Sequence, residues 1–265
     1  MTYETVASAD GTRIAYEVCG SGPPLVTVCG ATCDRALMRP TARALGERFT
    51  TVDYDRRGRG DSGDTLPYAV EREVEDLTAL VDAVGGHASL YGHSSGAALV
   101  LRAVGAGLPV DRFVLHDPPF APDDPAFRGE SRTFAAGILD LLAAGERDEA
   151  VDRWCRGTGM PGEVVDAMRA TPRWAELLAL APTLAYDLAV LDSVRTGGAV
   201  PEDVARRAAR PGLVLVGGDS PPFMQEVARR LADLLPAGAL RVLPASGHVV
   251  APEVLAPLVA DFLRG

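Results

Sequence analysis

The stretch Ala88-Ser89-Leu90-Tyr91-Gly92-His93-Ser94-Ser95-Gly96-Ala97-Ala98-Leu99-Val100-Leu101 decides how this chain is read. A short apolar run of strand length ends at Gly92, and an apolar helical run opens at Ser95. Between them Gly92-His93-Ser94-Ser95-Gly96 fits the G-x-S-x-G pattern. A strand that turns sharply into a helix presents its central side chain on a strained backbone at the carboxyl edge of a sheet. The flanking residues must be tiny because strand and helix nearly touch, and Gly92 and Gly96 meet that demand. The helix N-terminus adds N–H donors where negative charge would develop. The spacing between the glycines centres on Ser94 as a nucleophile, with Ser95 as the less favoured alternative.

Working outward, the chain alternates strands with helices. Residues 3–6 and 12–18 read as a hairpin around Asp10-Gly11, and 24–28 as a buried parallel strand ending near Gly30. Helix over 41–48, strand over 50–54, a polar Gly-rich loop over 55–64, helix over 69–84 and strand over 87–91 lead into the turn. Helix over 95–106 and strand over 112–116 follow it. From 118 to 210 the alternation stops in an Ala/Leu/Arg-rich, Pro-punctuated helical region. It resumes with strand 212–216, helix 223–235, strand 240–243 and helix 252–263. This order predicts an α/β architecture: a mostly parallel eight-stranded sheet, helices on both faces, and a helical cap inserted after the sixth strand. The core is expected over 1–117 and 211–265, and the cap over 118–210.

A serine nucleophile needs a base titrating near neutrality, and the chain has 4 histidines. His87 opens the strand before the turn, His93 sits inside the turn, and His116 lies within a strand. His248 follows the last strand, in Ala245-Ser246-Gly247-His248, on the sheet edge where Ser94 is expected. It is the candidate base.

The 265 residues carry a formal charge of −10, which disfavours nucleic acid and anionic membranes as partners. No run of about 20 apolar residues suggests a membrane helix, and the N-terminus lacks the pattern of a secretory signal. Cys19, Cys29, Cys33 and Cys155 form neither a disulfide framework nor a zinc pattern. A reduced, cytoplasmic protein without metal or other cofactor is expected, as monomer or homodimer.

These residues resemble the α/β-hydrolase superfamily along the whole chain. The turn, the terminal Gly-His loop and Asp55-Arg56-Arg57-Gly58-Arg59-Gly60-Asp61-Ser62 all carry the likeness. The resemblance implies a triad in the order Ser, acid, His. Most relatives place the acid after the penultimate strand, where Val216-Gly217-Gly218-Asp219-Ser220-Pro221 puts Ser220 in the slot and Asp219 one residue early. Other members place it at the end of the strand before the cap, where Asp117 lies. His116-Asp117-Pro118-Pro119 is similar to a segment of the zearalenone lactone hydrolases, which lack an acid at the later slot. Asp117 is therefore preferred and Asp219 kept as the alternative. The likeness also implies an oxyanion hole of backbone N–H groups from Ser95 and from Ala31 or Gly30. Cys29 is a remote second nucleophile.

Phe120, Phe134, Ile138, Trp154, Met160, Trp174, Leu178 and Tyr186 are candidates to line an apolar pocket under the cap, with Val249 beside the base. Trp174 is similar to a substrate-facing tryptophan of the lactone hydrolases. Together these features predict an ester or lactone hydrolase for a hydrophobic small molecule. The alternatives are C–C bond or amide hydrolysis, cofactor-free peroxidation, and a ligand-binding or cyclase protein on the same fold.

Overall fold

A computed structural model describes residues 3–265. Its core is one eight-stranded sheet in the order β1-β2-β4-β3-β5-β6-β7-β8. The strands are β1 (Glu4–Ala7), β2 (Arg13–Cys19), β3 (Pro24–Val28), β4 (Thr50–Tyr54), β5 (Ala88–His93), β6 (Val110–His116), β7 (Gly212–Gly217) and β8 (Gly238–Leu243). β1 pairs with β2, and β2 with β4, antiparallel; every other pairing is parallel. β3, β5, β6 and β7 are nearly or wholly buried along their length, as strands covered on both faces must be.

The covering helices are α1 (Arg35–Leu45) and α12 (Pro252–Arg264) on one face, and α2 (Val70–Ala83), α3 (Ser95–Gly105) and α11 (Pro222–Leu234) on the other. Two apolar clusters fill the layers. One joins α2, α3 and α11 to the sheet, and the other joins α1 and α12 to it. α1 begins six residues earlier than the periodicity suggested. The Asp34 side chain accepts the Leu37 N–H and caps it, and the helix runs through Pro40.

Between β6 and β7 the chain forms α4 (Pro125–Ala143), α5 (Arg147–Gly157), α6 (Gly162–Met168), α7 (Pro172–Leu180), α8 (Leu184–Val190), α9 (Ser193–Thr196) and α10 (Glu202–Arg207). Cap cores of their own unite α5, α6 and α7 around Trp174, and α4 and α8 around Ile138 and Leu184.

Strand and helix approach closely at the β5–α3 turn. A Cβ on Gly96 would lie 2.3 Å from the Val28 carbonyl oxygen, and one on Gly92 would lie 2.5 Å from that of Gly96. Both obstacles are backbone and cannot swing aside. Gly96→Ala should therefore lower stability by about 3 kcal/mol, the upper range for forced overpacking, measured by chemical denaturation. Stability equal to the parent's would contradict the packing described.

Candidate active site

Ser94 sits between the last residue of β5 and the first of α3, with φ 56° and ψ −128°. That left-handed value is costly for a residue with a side chain and persists where the surroundings impose it. The imposition is visible: the Ser94 N–H is held by the His116 carbonyl at 2.9 Å, extending the β5–β6 ladder into the turn. Gly30 packs so closely that a Cβ there would come 2.8 Å from the Ser94 Cβ.

Asp117 is the next residue beyond β6, also left-handed at φ 48°. Its N–H bonds the Leu215 carbonyl at 2.8 Å, and its carboxylate has no solvent exposure. One oxygen accepts the Gly217 N–H at 3.0 Å. The other accepts the Ser220 hydroxyl and His248 Nδ1, each at 3.0 Å. Burial pushes the Asp117 pKa up, but hydrogen bonds from His248 and Gly217, with the charges of His116 and His248, outweigh it. The carboxyl therefore ionises below its ordinary range.

Of the two candidate acids, the structure brings Asp117 to His248 and leaves Asp219 exposed, its N–H on the Ser246 carbonyl. Ser220, in the slot where the resemblance expected an acid, is instead a donor to Asp117.

The His248 ring stands 4.7 Å from the ring of His93, the residue preceding Ser94. Ser94 Oγ makes no hydrogen bond to it among the described residues. His93 Nε2 donates to the His248 carbonyl at 2.8 Å and so pins the loop that carries the imidazole. The position of His93 inside the turn gives no sign of this contact in sequence. His116 lies behind, 4.9 Å from His93 ring to ring, with Nδ1 2.7 Å from the Tyr91 hydroxyl.

Neither the Ser95 nor the Ala31 backbone N–H donates to a protein group among the described residues. Ser95 N–H heads α3, where a helix leaves its first donors free. The Ser95 hydroxyl is engaged elsewhere, donating to Asp187 at 2.7 Å. Cys29 is fully buried and bonded to the Cys33 carbonyl; burial pushes its thiol far above the ordinary range.

The expected pocket residues divide. Phe134 and Ile138 join Leu184, Leu188 and Trp154 in the apolar cluster that Ala31 packs against. Phe120 is instead buried in the main core, where it sits with residues of α3 and β6. Trp174 is spent on the cap's own core. Its indole N–H donates to Asp148 at 2.8 Å and the Arg169 guanidinium lies over its ring. Met160 and Leu178 pack against that same cap core. Tyr186 stacks on Tyr68 at 3.8 Å and donates to Asp64. Val249 stands out at 81% exposure beside His248. Period and composition cannot tell a cap's own core from a pocket wall, which is why these side chains read alike in sequence.

Burial, and the neighbouring histidines, pull the His93 pKa down to about 3. Burial likewise takes His116 to about 4. Both are neutral in the folded chain, whereas the unfolded chain protonates them near 6.5. Between those values the unfolded state binds more protons, so folding stability should fall as pH drops from about 6.5 toward 4. The slope should be on the order of 1 kcal/mol per pH unit for each ring. Urea unfolding at stepped pH tests this. His116→Gln should flatten the dependence, and a parent profile flat across that window would contradict it.

No helix among the described residues is long and apolar enough to cross a membrane. Residues 25–259 match the model of the alpha/beta hydrolase family. A solved structure of an alpha/beta hydrolase from Sphaerobacter thermophilus superposes with a TM-score of 0.85 at 42% identity, covering 98% of this chain and 99% of that one. The chain is also similar to the 2-(acetamidomethylene)succinate hydrolase of Mesorhizobium japonicum, 25% identical over 92% of this chain and 89% of the relative. A putative carbamate hydrolase of a Caulobacter species, RutD, is 28% identical over 85% of each chain. The strand order, the turn at Ser94 and these likenesses agree: the chain belongs to the alpha/beta hydrolase family.

Proposed function

We propose that this hydrolase cleaves a carboxylic ester or lactone of an apolar small molecule through an acyl-enzyme on Ser94. The observation that carries the reading is the 3.0 Å contact between Asp117 and His248 Nδ1, made beside the strained Ser94. With Nδ1–H donated to a carboxylate, the Nε2 lone pair is free to take a proton, and an imidazolium formed there is stabilised. Ser94 Oγ attacks the carbonyl carbon as His248 removes its proton. The Ser95 and Ala31 N–H groups receive the oxyanion. His248 then returns the proton to the leaving oxygen, and repeats the cycle with water to release the acid. The hydrogen bond from Ser94 Oγ to His248 belongs to the substrate complex, where catalytic contacts tighten.

The apolar cluster of Phe134, Ile138, Leu184 and Leu188 beside Ala31 supports a hydrophobic acyl or alcohol portion. The likeness of His116-Asp117-Pro118-Pro119 to the zearalenone lactone hydrolases bears on the choice of Asp117 as the acid. A second reading, hydrolysis of an amide or carbamate, draws on the names of the Mesorhizobium and Caulobacter relatives. The same nucleophile, base and hole would serve it, with His248 protonating a leaving nitrogen.

Ser94→Ala should abolish turnover of p-nitrophenyl esters and labelling by a fluorophosphonate while the chain stays folded; labelling that persists rules out the nucleophile. Comparing esters, macrocyclic lactones and N-acyl amides of matched size separates the two readings, and a preference for amides overturns the first. Asp117→Asn should cost about 10⁴-fold in kcat, as loss of the orienting carboxylate does elsewhere. Asp219→Asn should leave kcat within about threefold, since surface substitutions away from a site change little. The opposite pattern would reassign the acid.

A further inference from the structure

Behind the turn lies a quartet of buried charges that the triad does not use. Arg56 and Arg59 come from the loop after β4, Glu73 from α2 and Asp187 from cap helix α8; none exceeds 1% exposure. Arg56 pairs with Glu73 through two bonds of 2.7 Å and with Asp187 at 2.7 Å. Arg59 grips Asp187 with contacts of 2.8 and 2.9 Å. The two guanidiniums keep both carboxyls ionised against the opposing effect of burial. Two cations face two anions, so the cluster is neutral as a whole.

What the quartet touches is specific. The Ser95 hydroxyl donates to Asp187 at 2.7 Å, and Arg59 Nη1 donates to the Gly30 carbonyl at 2.6 Å and to that of Cys33 at 3.1 Å. In a planar trans peptide the carbonyl and the following N–H point in opposite directions. Holding the Gly30 carbonyl toward Arg59 therefore turns the Ala31 N–H away from the guanidinium, on the loop that lies against Ser94. Asp187 thus binds one donor residue directly and orients the other through Arg59.

We propose that Asp187 is a positioning residue for the oxyanion hole: from the cap it fixes Ser95 through its hydroxyl, and the Gly30–Ala31 peptide through Arg59. This rests on the serine-hydrolase reading and adds to it a residue that neither the nucleophile turn nor the triad pattern contains. The cap then does more than enclose substrate, because its docking sets the geometry of the two N–H donors.

The test compares an aryl ester with its thionoester, whose sulfur is a poorer hydrogen-bond acceptor, in the full chain. The parent should prefer the oxygen ester strongly. Asp187→Asn should lower kcat for the ester about 30-fold with KM within about twofold, a partial version of removing one oxyanion donor. The oxygen-over-sulfur preference should narrow about tenfold with it. Ser95→Ala, which deletes one hydroxyl and leaves the four charges paired, should narrow the preference in the same sense. It decides alone if Asp187→Asn does not accumulate folded. A variant that loses rate and melting temperature together yet keeps the parental preference has a structural role only, and overturns the proposal; so does unchanged kcat. Parent protein without Ser94-dependent labelling would instead sink the serine-hydrolase reading, and the inference would fall with it.

Discussion

Backbone meets backbone at Ser94 more closely than side chains permit. β3, the β5–α3 turn and the loop beginning at Gly30 converge there, and each of Gly30, Gly92 and Gly96 lies where a Cβ would strike a neighbour. The close approach holds a serine at positive φ on the sheet's carboxyl edge, with the first N–H of α3 free beside it. Everything else in the site is arranged around that fixed point. The parallel ladder carries Asp117 out beside it, since β5 and β6 run in register through His93 and His116.

The candidate acid shows how topology can substitute for sequence position. β6 and β7 are adjacent in the sheet, so a carboxylate at the end of β6 reaches the volume that a carboxylate after β7 would fill. Asp117 arrives from one strand, and the other supplies the Gly217 N–H and the Ser220 hydroxyl to hold it. A single ionised carboxylate with three donors is well satisfied when fully buried. A second acid at position 220 would place two negative charges against each other without water to screen them. The serine there and the aspartate at 117 therefore form one arrangement, with the hydroxyl donating where a second carboxylate would repel.

The sheet, its helices and the insertion were legible because apolar periodicity and Gly/Pro punctuation report burial directly. Ser94 and His248 stand out as candidates because G-x-S-x-G and the Gly-His loop occupy fixed places in that order. The candidate acid was half legible: both carboxylates stood in suitable loops, and only three-dimensional adjacency singles out Asp117, bonded to His248, from the exposed Asp219. The cap was the least legible part. Trp174, Phe120 and Tyr186 have the composition of pocket walls, yet each is claimed by packing or a hydrogen bond that sequence spacing does not encode. His93 was hidden differently, since its ring meets a carbonyl 155 positions away in sequence.

The run Asp55-Arg56-Arg57-Gly58-Arg59 reads as part of a polar, Gly-rich loop, yet its arginines are buried. Arg56, Arg57 and Arg59 are among the most buried large side chains of the chain, each matched to carboxylates from other segments. Buried ion pairs are poor sources of net stability, because desolvating the charges offsets their attraction. What they do supply is geometric definition: a guanidinium fork has few ways to satisfy its donors at once. Here the forks terminate on the carbonyls of Cys29, Gly30 and Cys33 and on Asp187 from the cap. A loop of small residues with a free N–H has no internal reason to keep one peptide orientation. The buried charges provide that reason, and they tie it to the one segment of the fold, the cap, whose helices also shape the apolar ground beside Ala31.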